Sequence, residues 1–147
     1  MNSIFFTPQL TPQQMLEMGV FGGWYFGDCP NGIPDDLPAS WFEHAPLSSS
    51  GFDKTLNHFG VAAGQPRTVW LEKGWITPED PLGWFQWYCR YHLGRRLPGV
   101  DAFQIKRWHA FGARHIGQIK KNCEPNDVFC RPRQRQALLQ WAYDPLI

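Results

Sequence analysis

The chain lacks net charge of either sign: 14 Lys and Arg stand against 13 Asp and Glu, for a formal charge of +1. A field that steers nucleic acid or an anionic membrane needs a larger imbalance or a concentrated patch, so any such partner must be recognised locally. Long apolar runs are missing as well. No stretch approaches the length of a membrane span, and the opening Met1-Asn2-Ser3-Ile4-Phe5-Phe6-Thr7-Pro8 has neither the basic segment nor the long apolar run of a secretory signal. No membrane partner and a cytoplasmic location are therefore expected. Four cysteines are too few for a disulfide-built scaffold of this length, and in that compartment all four are expected as reduced thiols.

Catalytic signatures are missing too. There is no Gly-x-Ser-x-Gly elbow, no phosphate-cradling glycine loop ending in Lys-Ser/Thr, no Gly-x-Gly-x-x-Gly and no His-Glu-x-x-His. No cofactor is expected. A cysteine nucleophile at Cys29 or Cys123 stays open, although nothing selects either thiol. The text shows no internal repeat, and no run alternates as a strand would.

What the chain does have is aromatic bulk: 8 Trp, 11 Phe and 4 Tyr among 147 residues. A chain of that length buries roughly two-thirds of its unfolded surface, and large flat side chains supply much of the core. Helix signals dominate. Thr11-Pro12-Gln13-Gln14 is a capping box with proline in the first turn, starting a short helix through Leu16 that fails by Gly22-Gly23. From Pro30 to Gly51 the Pro, Ser and Gly content reads as loop, with one helical turn around Trp41-Phe42. Pro66 to Lys73 reads as a compact helix filled by Val69, Trp70 and Leu71, with Gly74 at the left-handed cap. A further helix is expected from Thr77-Pro78 to about Arg96, another from Asp101 to about Lys121, and a last one from Pro132 that stops before Pro145. The fold expected is mainly α, a single domain over residues 1–147 made of about five helices with long irregular loops.

The helix after Thr77 is aromatic on most of its girth. Trp84, Trp87, Tyr88 and Tyr91 share one face, with Phe85, Cys89 and His92 beside it, so it should be central, and Arg90 should need a carboxylate or carbonyl partner. In the Asp101 helix, Ile105, Trp108, Gly112, Ile116 and Ile119 form an apolar stripe, and Arg107, Arg114 and Lys121 line the opposite side.

Three chemistries fit these residues. Cys89-x-x-His92 with Cys123-x6-Cys130 offers four zinc ligands, but the second gap is wider than the usual spacing, and buried thiols with a core histidine explain the same residues. Arg131-Pro132-Arg133-Gln134-Arg135 places cations where a helix dipole disfavours them, which implies an anionic neighbour: a nucleic acid, or internal acids such as Glu124, Asp127 or Asp144. Trp24, Tyr25 and Phe26, on a loop bounded by glycines, can face Trp84, Trp87, Tyr88 and Tyr91 across an apolar small-molecule pocket, with Asp28, Arg90, Arg95 or His109 as its polar groups. The plain alternative is that these aromatics only fill the core.

Several words carry a resemblance: Leu16-Glu17-Met18-Gly19-Val20-Phe21-Gly22-Gly23, Lys73-Gly74-Trp75-Ile76, the stretch from Asp80-Pro81-Leu82-Gly83 through Tyr91, Gly94-Arg95-Arg96, and Cys130-Arg131-Pro132-Arg133-Gln134-Arg135-Gln136. With them the chain resembles an uncharacterised family of small proteins from bacteria, viruses, fungi and plants, one without an established activity. That family tends to carry Lys where this chain has Trp24, and a residue like Met where it has Phe26. An indole in place of a cation favours an apolar ligand over a phosphate or carboxylate. The leading expectation is accordingly cofactor-independent binding of an apolar small molecule, with cyclisation or isomerisation driven by positioning. A nucleic-acid-associated module built on Arg131 to Arg135 comes second, and an interaction protein without chemistry third.

Overall fold

The computed structural model describes residues 5–29, 32–48, 51–63 and 67–147, and leaves out the side chains of residues 67 and 68. Five α-helices carry it: α1 (Pro12–Glu17), α2 (Arg67–Glu72), α3 (Trp84–His92), α4 (Pro98–Asn122) and α5 (Pro132–Leu139), with short 3-10 turns at Ala39–Phe42 and Lys54–Leu56. Among the described residues there is no strand, only one isolated bridge between Thr77 and Asp80. The fold is mainly α, with long irregular segments between α1 and α3.

Local signals explain the helix ends. At α1 the capping box is complete: Thr11 Oγ1 accepts from Gln14 N (3.1 Å) and Gln14 Oε1 accepts from Thr11 N (2.8 Å). Gly74 takes the left-handed turn after α2, while Leu71, expected inside, is exposed. Pro66 lies outside the described residues.

The aromatic helix is shorter than its start and stop signals suggest. Thr77 to Asp80 close a tight turn, with Asp80 N bonded to Thr77 O (3.1 Å), and α3 begins only after Gly83, whose φ of 105° a side chain would strain. Pro81 disfavours helical geometry at Asp80, and the Asp80 carboxylate is taken by arginines instead of capping amides. At the other end Gly94 adopts a positive φ and Arg95 N bonds back to Arg90 O (3.0 Å), a Schellman-type stop placed four residues ahead of the expected end.

In α4 the difference runs the other way. Pro98 takes the first helical position, and Asp101, expected as the cap, sits in the first turn and accepts from Leu97 N (2.8 Å). Its second oxygen accepts from Trp87 Nε1 (2.8 Å), so one buried carboxylate both starts α4 and ties it to α3. The apolar stripe is as expected, with Ile105, Trp108, Gly112 and Ile119 buried. Gly112 is required there. A Cβ would overlap the Tyr143 hydroxyl, which donates to Trp108 O (2.6 Å) while the Tyr143 ring stacks on Trp108 at 4.5 Å.

Candidate functional site

The aromatic residues expected to line a ligand pocket are brought together, but mainly to pack on one another. Trp84, Trp87, Tyr88 and Tyr91 surround Phe6 with ring centroids 5.3–6.2 Å away, and Trp108 closes the ring at 5.0 Å. The strap that carries Phe6 is held by Tyr88, whose hydroxyl donates to Leu10 O (2.5 Å), by Gln9 N on Ala142 O (2.7 Å), and by a contact between the His109 ring and Phe5 O. The space expected for a ligand on this face is taken by the chain's own N-terminal segment. The sequence contained the residue, but nothing in its local pattern singles out Phe6.

On the other side of α3, Tyr25 and Phe26 pack on Phe85 at 5.1 and 6.0 Å. The Tyr25 hydroxyl accepts from Gln86 N (3.2 Å) and donates to Leu82 O (2.5 Å), and burial pushes it well above the ordinary tyrosine range. Trp24 covers Gly27 of its own loop. Trp24, Phe26, Phe42 and Pro46 line a cavity of about 20 Å³. That is room for a single water, against the several hundred Å³ of a small-molecule pocket.

The polar groups assigned to that pocket are engaged elsewhere. Asp80 is 0% exposed and receives Arg95 through two parallel bonds (2.9 and 2.7 Å) and Arg90 Nη1 at 3.0 Å. Arg90 Nε also reaches Asp36 (2.7 Å), and its Nη1 reaches Glu79 O (2.6 Å). The partner expected for Arg90 is therefore two carboxylates and a carbonyl, and the cluster pins the 35–36 and 79–80 segments to α3 as a structural clamp. Asp28 is exposed, and His109 sits on the outer side of α4.

The thiols also differ from expectation. Cys123 and Cys130 are bonded to each other, while Cys29 and Cys89 are free. The bond removes two of the four zinc ligands, His92 is exposed while Cys89 is buried, and no group of three metal-binding side chains occurs among the described residues. Burial pushes both free thiols up, with Asp28, Asp35 and Asp36 adding to the effect at Cys29. Neither is prepared as a nucleophile.

The outer face of α4 is a different environment. From Ala102 to Cys123 the chain has five Lys or Arg and no Asp or Glu. Lys106, Arg114, Lys120 and Lys121 are exposed, as are Arg131 and Arg133 at the start of α5, and none of the six forms an ion pair among the described residues. Arg107, Arg114 and Lys121 recur every seventh residue on one side, over about 21 Å of helix. Arg107 is half-buried and has no carboxylate partner among the described residues. It donates to Trp75 O and Gln104 Oε1 (both 2.9 Å) and lies over the rings of Trp75, Phe103 and Trp141 at 5.3–5.6 Å. Burial lowers its pKa to about 10, so it is still cationic at neutral pH.

Gln134 joins the two helices, its amide reaching His115 Nδ1 (3.1 Å) and Gln118 Oε1. Arg135 is not part of this face. It is fully buried, donating to Cys130 O (2.8 Å), Pro145 O (2.7 Å) and Ile147 O (3.2 Å), so backbone oxygens and not acidic side chains answer one of the three arginines of the Arg131 to Arg135 stretch.

A signal for this face was present in the chain but hidden by its near-zero total. Residues 1–80 carry nine acids against three Lys and Arg, residues 81–147 four against eleven, giving net charges of −6 and +7. No family model, no curated protein and no solved structure matches this chain.

Proposed function

We propose that this protein binds nucleic acid through the outer face of α4 and the start of α5. One observation carries the reading: six exposed cations share two adjoining helices, with no acid from Ala102 to Cys123 and no ion pair to any of them among the described residues. Unpaired cations on one surface repel each other, and a polyanion relieves that repulsion by releasing its counterions. The small exposed residues between them, Ala110, Ala113 and Gly117, let a phosphate backbone approach the helix closely.

The test is retention of a labelled oligonucleotide as salt rises. With about three phosphate contacts, affinity should fall roughly 20-fold for a single strand and roughly 40-fold for a duplex between 50 and 200 mM salt, and Arg114→Ala with Lys121→Ala should flatten that dependence by about two contacts. No retention at low salt ends the reading.

A second reading keeps the apolar small molecule. It is favoured by the five-ring cage around Phe6, which already accepts one apolar ring and would open to a ligand if the strap of residues 5–10 withdrew. Cyclisation or isomerisation in such a cage would rest on shape alone. A cytoplasmic location accompanies both readings although the Cys123–Cys130 bond counts against it, and a pair found mostly bonded in cells by alkylation would overturn it.

A further inference from the structure

We propose that Phe129 is a base-stacking anchor and that the ligand of the α4–α5 face is single-stranded, an inference that rests on the nucleic-acid reading. Phe129 is 91% exposed, the most exposed of the large apolar side chains among the described residues. A single exposed apolar ring is common on proteins, and covering this one with a partner would gain about 2–3 kcal/mol. The backbone that carries this ring is held in place. Its loop is closed by the bond between Cys123 and Cys130, and Asp127 Oδ1 accepts from Phe129 N (3.1 Å). Cys130 N bonds to Asp127 O (3.1 Å), and the buried Arg135 grips Cys130 O from beneath. A loop already ordered around an exposed ring leaves only the two side-chain torsions of that ring to be fixed on binding, which suits a stacking platform.

Its neighbours fit the same ligand. Lys120 and Lys121 end α4 just before the loop, and Arg131 and Arg133 follow it, all exposed and without acids paired to them. Cations that follow a backbone, beside an aromatic face that takes any base, are the recurring means of holding single strands. Between the end of α4 and the loop lies a hollow of about 660 Å³, large enough for a nucleotide. Glu124 and Asp127 line it beside the two lysines, so it suits a base edge or sugar hydroxyl that can donate, not a phosphate.

A duplex fits less well, because its base faces are covered and a wedge must first unstack them. The amide and imidazole groups on the exposed side of α4 are also engaged within the protein, Gln118 with Gln134, Asn122 with Gln118 O, and His109 with Phe5 O, which leaves its cations as the groups a duplex would meet. A membrane is a weaker fit again, since a single ring flanked by Glu124 and Asp127 buries little apolar area and brings two carboxylates to the headgroups.

The experiment compares fluorescence anisotropy of labelled oligo(dT) of about 12 nucleotides with a duplex of the same length, on the intact chain and on Phe129→Ala. The wild type should prefer the single strand. Phe129→Ala should weaken that binding about tenfold, leave the salt dependence unchanged and leave the melting temperature unmoved, while Phe129→Trp retains affinity. If the wild type binds the single strand and Phe129→Ala binds equally well, the anchor is refuted and the charged face stands alone. Preference for the duplex overturns the single-strand assignment. Failure of the wild type to bind either form removes both proposals. Phe129-dependent pelleting with phosphatidylserine-containing vesicles, without oligonucleotide binding, would replace the ligand with a membrane surface.

Discussion

Helices α3 and α4 both place arginines beside aromatic rings, yet the two contexts differ. In α3 the cations at Arg90 and, just beyond its end, Arg95 meet the fully buried Asp80, and every ring of Trp84, Trp87 and Tyr88 is inside. In α4 one side is as buried as α3, but the other carries Arg114, Lys120 and Lys121 with no acid to meet them. The arginine chemistry is the same. What separates a structural clamp from a candidate binding surface is whether the fold supplies the counter-charge. A buried charge must be paired within the molecule, whereas an exposed one can wait for a partner outside it.

Interior substitutions should therefore cost stability and leave oligonucleotide binding intact, and outer-face substitutions the reverse. The largest effect is expected at Asp80. Asp80→Asn keeps the shape but leaves Arg95 without its counter-charge and Arg90 with only that of Asp36, and should lower the unfolding free energy by about 3 kcal/mol in urea melts. A smaller loss would mean that Asp36 alone can hold Arg90, and would weaken the contrast.

Phe6→Ala comes next, at about 2–3 kcal/mol, because it empties the centre of the five-ring cage. The same variant should gain heat-stabilisation by a small aromatic such as toluene, while the wild type does not. Stabilisation of the wild type would show that the strap leaves its seat and would favour the small-molecule reading.

The smallest effect concerns pH at the junction of the two regions. Burial, and then the Arg114 charge, hold the His115 pKa below its ordinary value, while Gln134 bonds its Nδ1 and Phe111 packs on the ring. The unfolded chain then binds the proton more tightly. The stability tied to the neutral ring is present above about pH 6.5 and is lost as pH falls from there through the lowered native value. His115→Gln should make the drop in melting temperature between pH 7 and pH 5.5 shallower, and an unchanged drop would place the titrating group elsewhere.

Much of the fold was legible because it is written locally. Thr11 with Gln14 and Gly74 act within a turn of themselves, and the 3.6-residue recurrence of Ile105, Trp108, Gly112 and Ile119 marks the buried side of α4 wherever that helix lies. The errors fell where a distant group took a local one's partner. Asp80 was withdrawn from helix capping by Arg90 and Arg95, Asp101 was shared with Trp87, and Cys123 was claimed by Cys130. The candidate site was less legible than the fold. The cations of α4 and the Arg131 stretch were visible, but not that Arg135 turns inward or that Phe129 is left outside.

By itself, then, the sequence determined an aromatic-rich, mainly α chain with one amphipathic helix of basic outer face, since spacing and capping are decided within a few residues. Only the tertiary structure decided that Phe6 occupies the space a ligand was expected to fill, and which arginines keep their charge free for a partner. Both are matters of pairing between residues far apart in the chain, and no local pattern encodes who stands opposite whom.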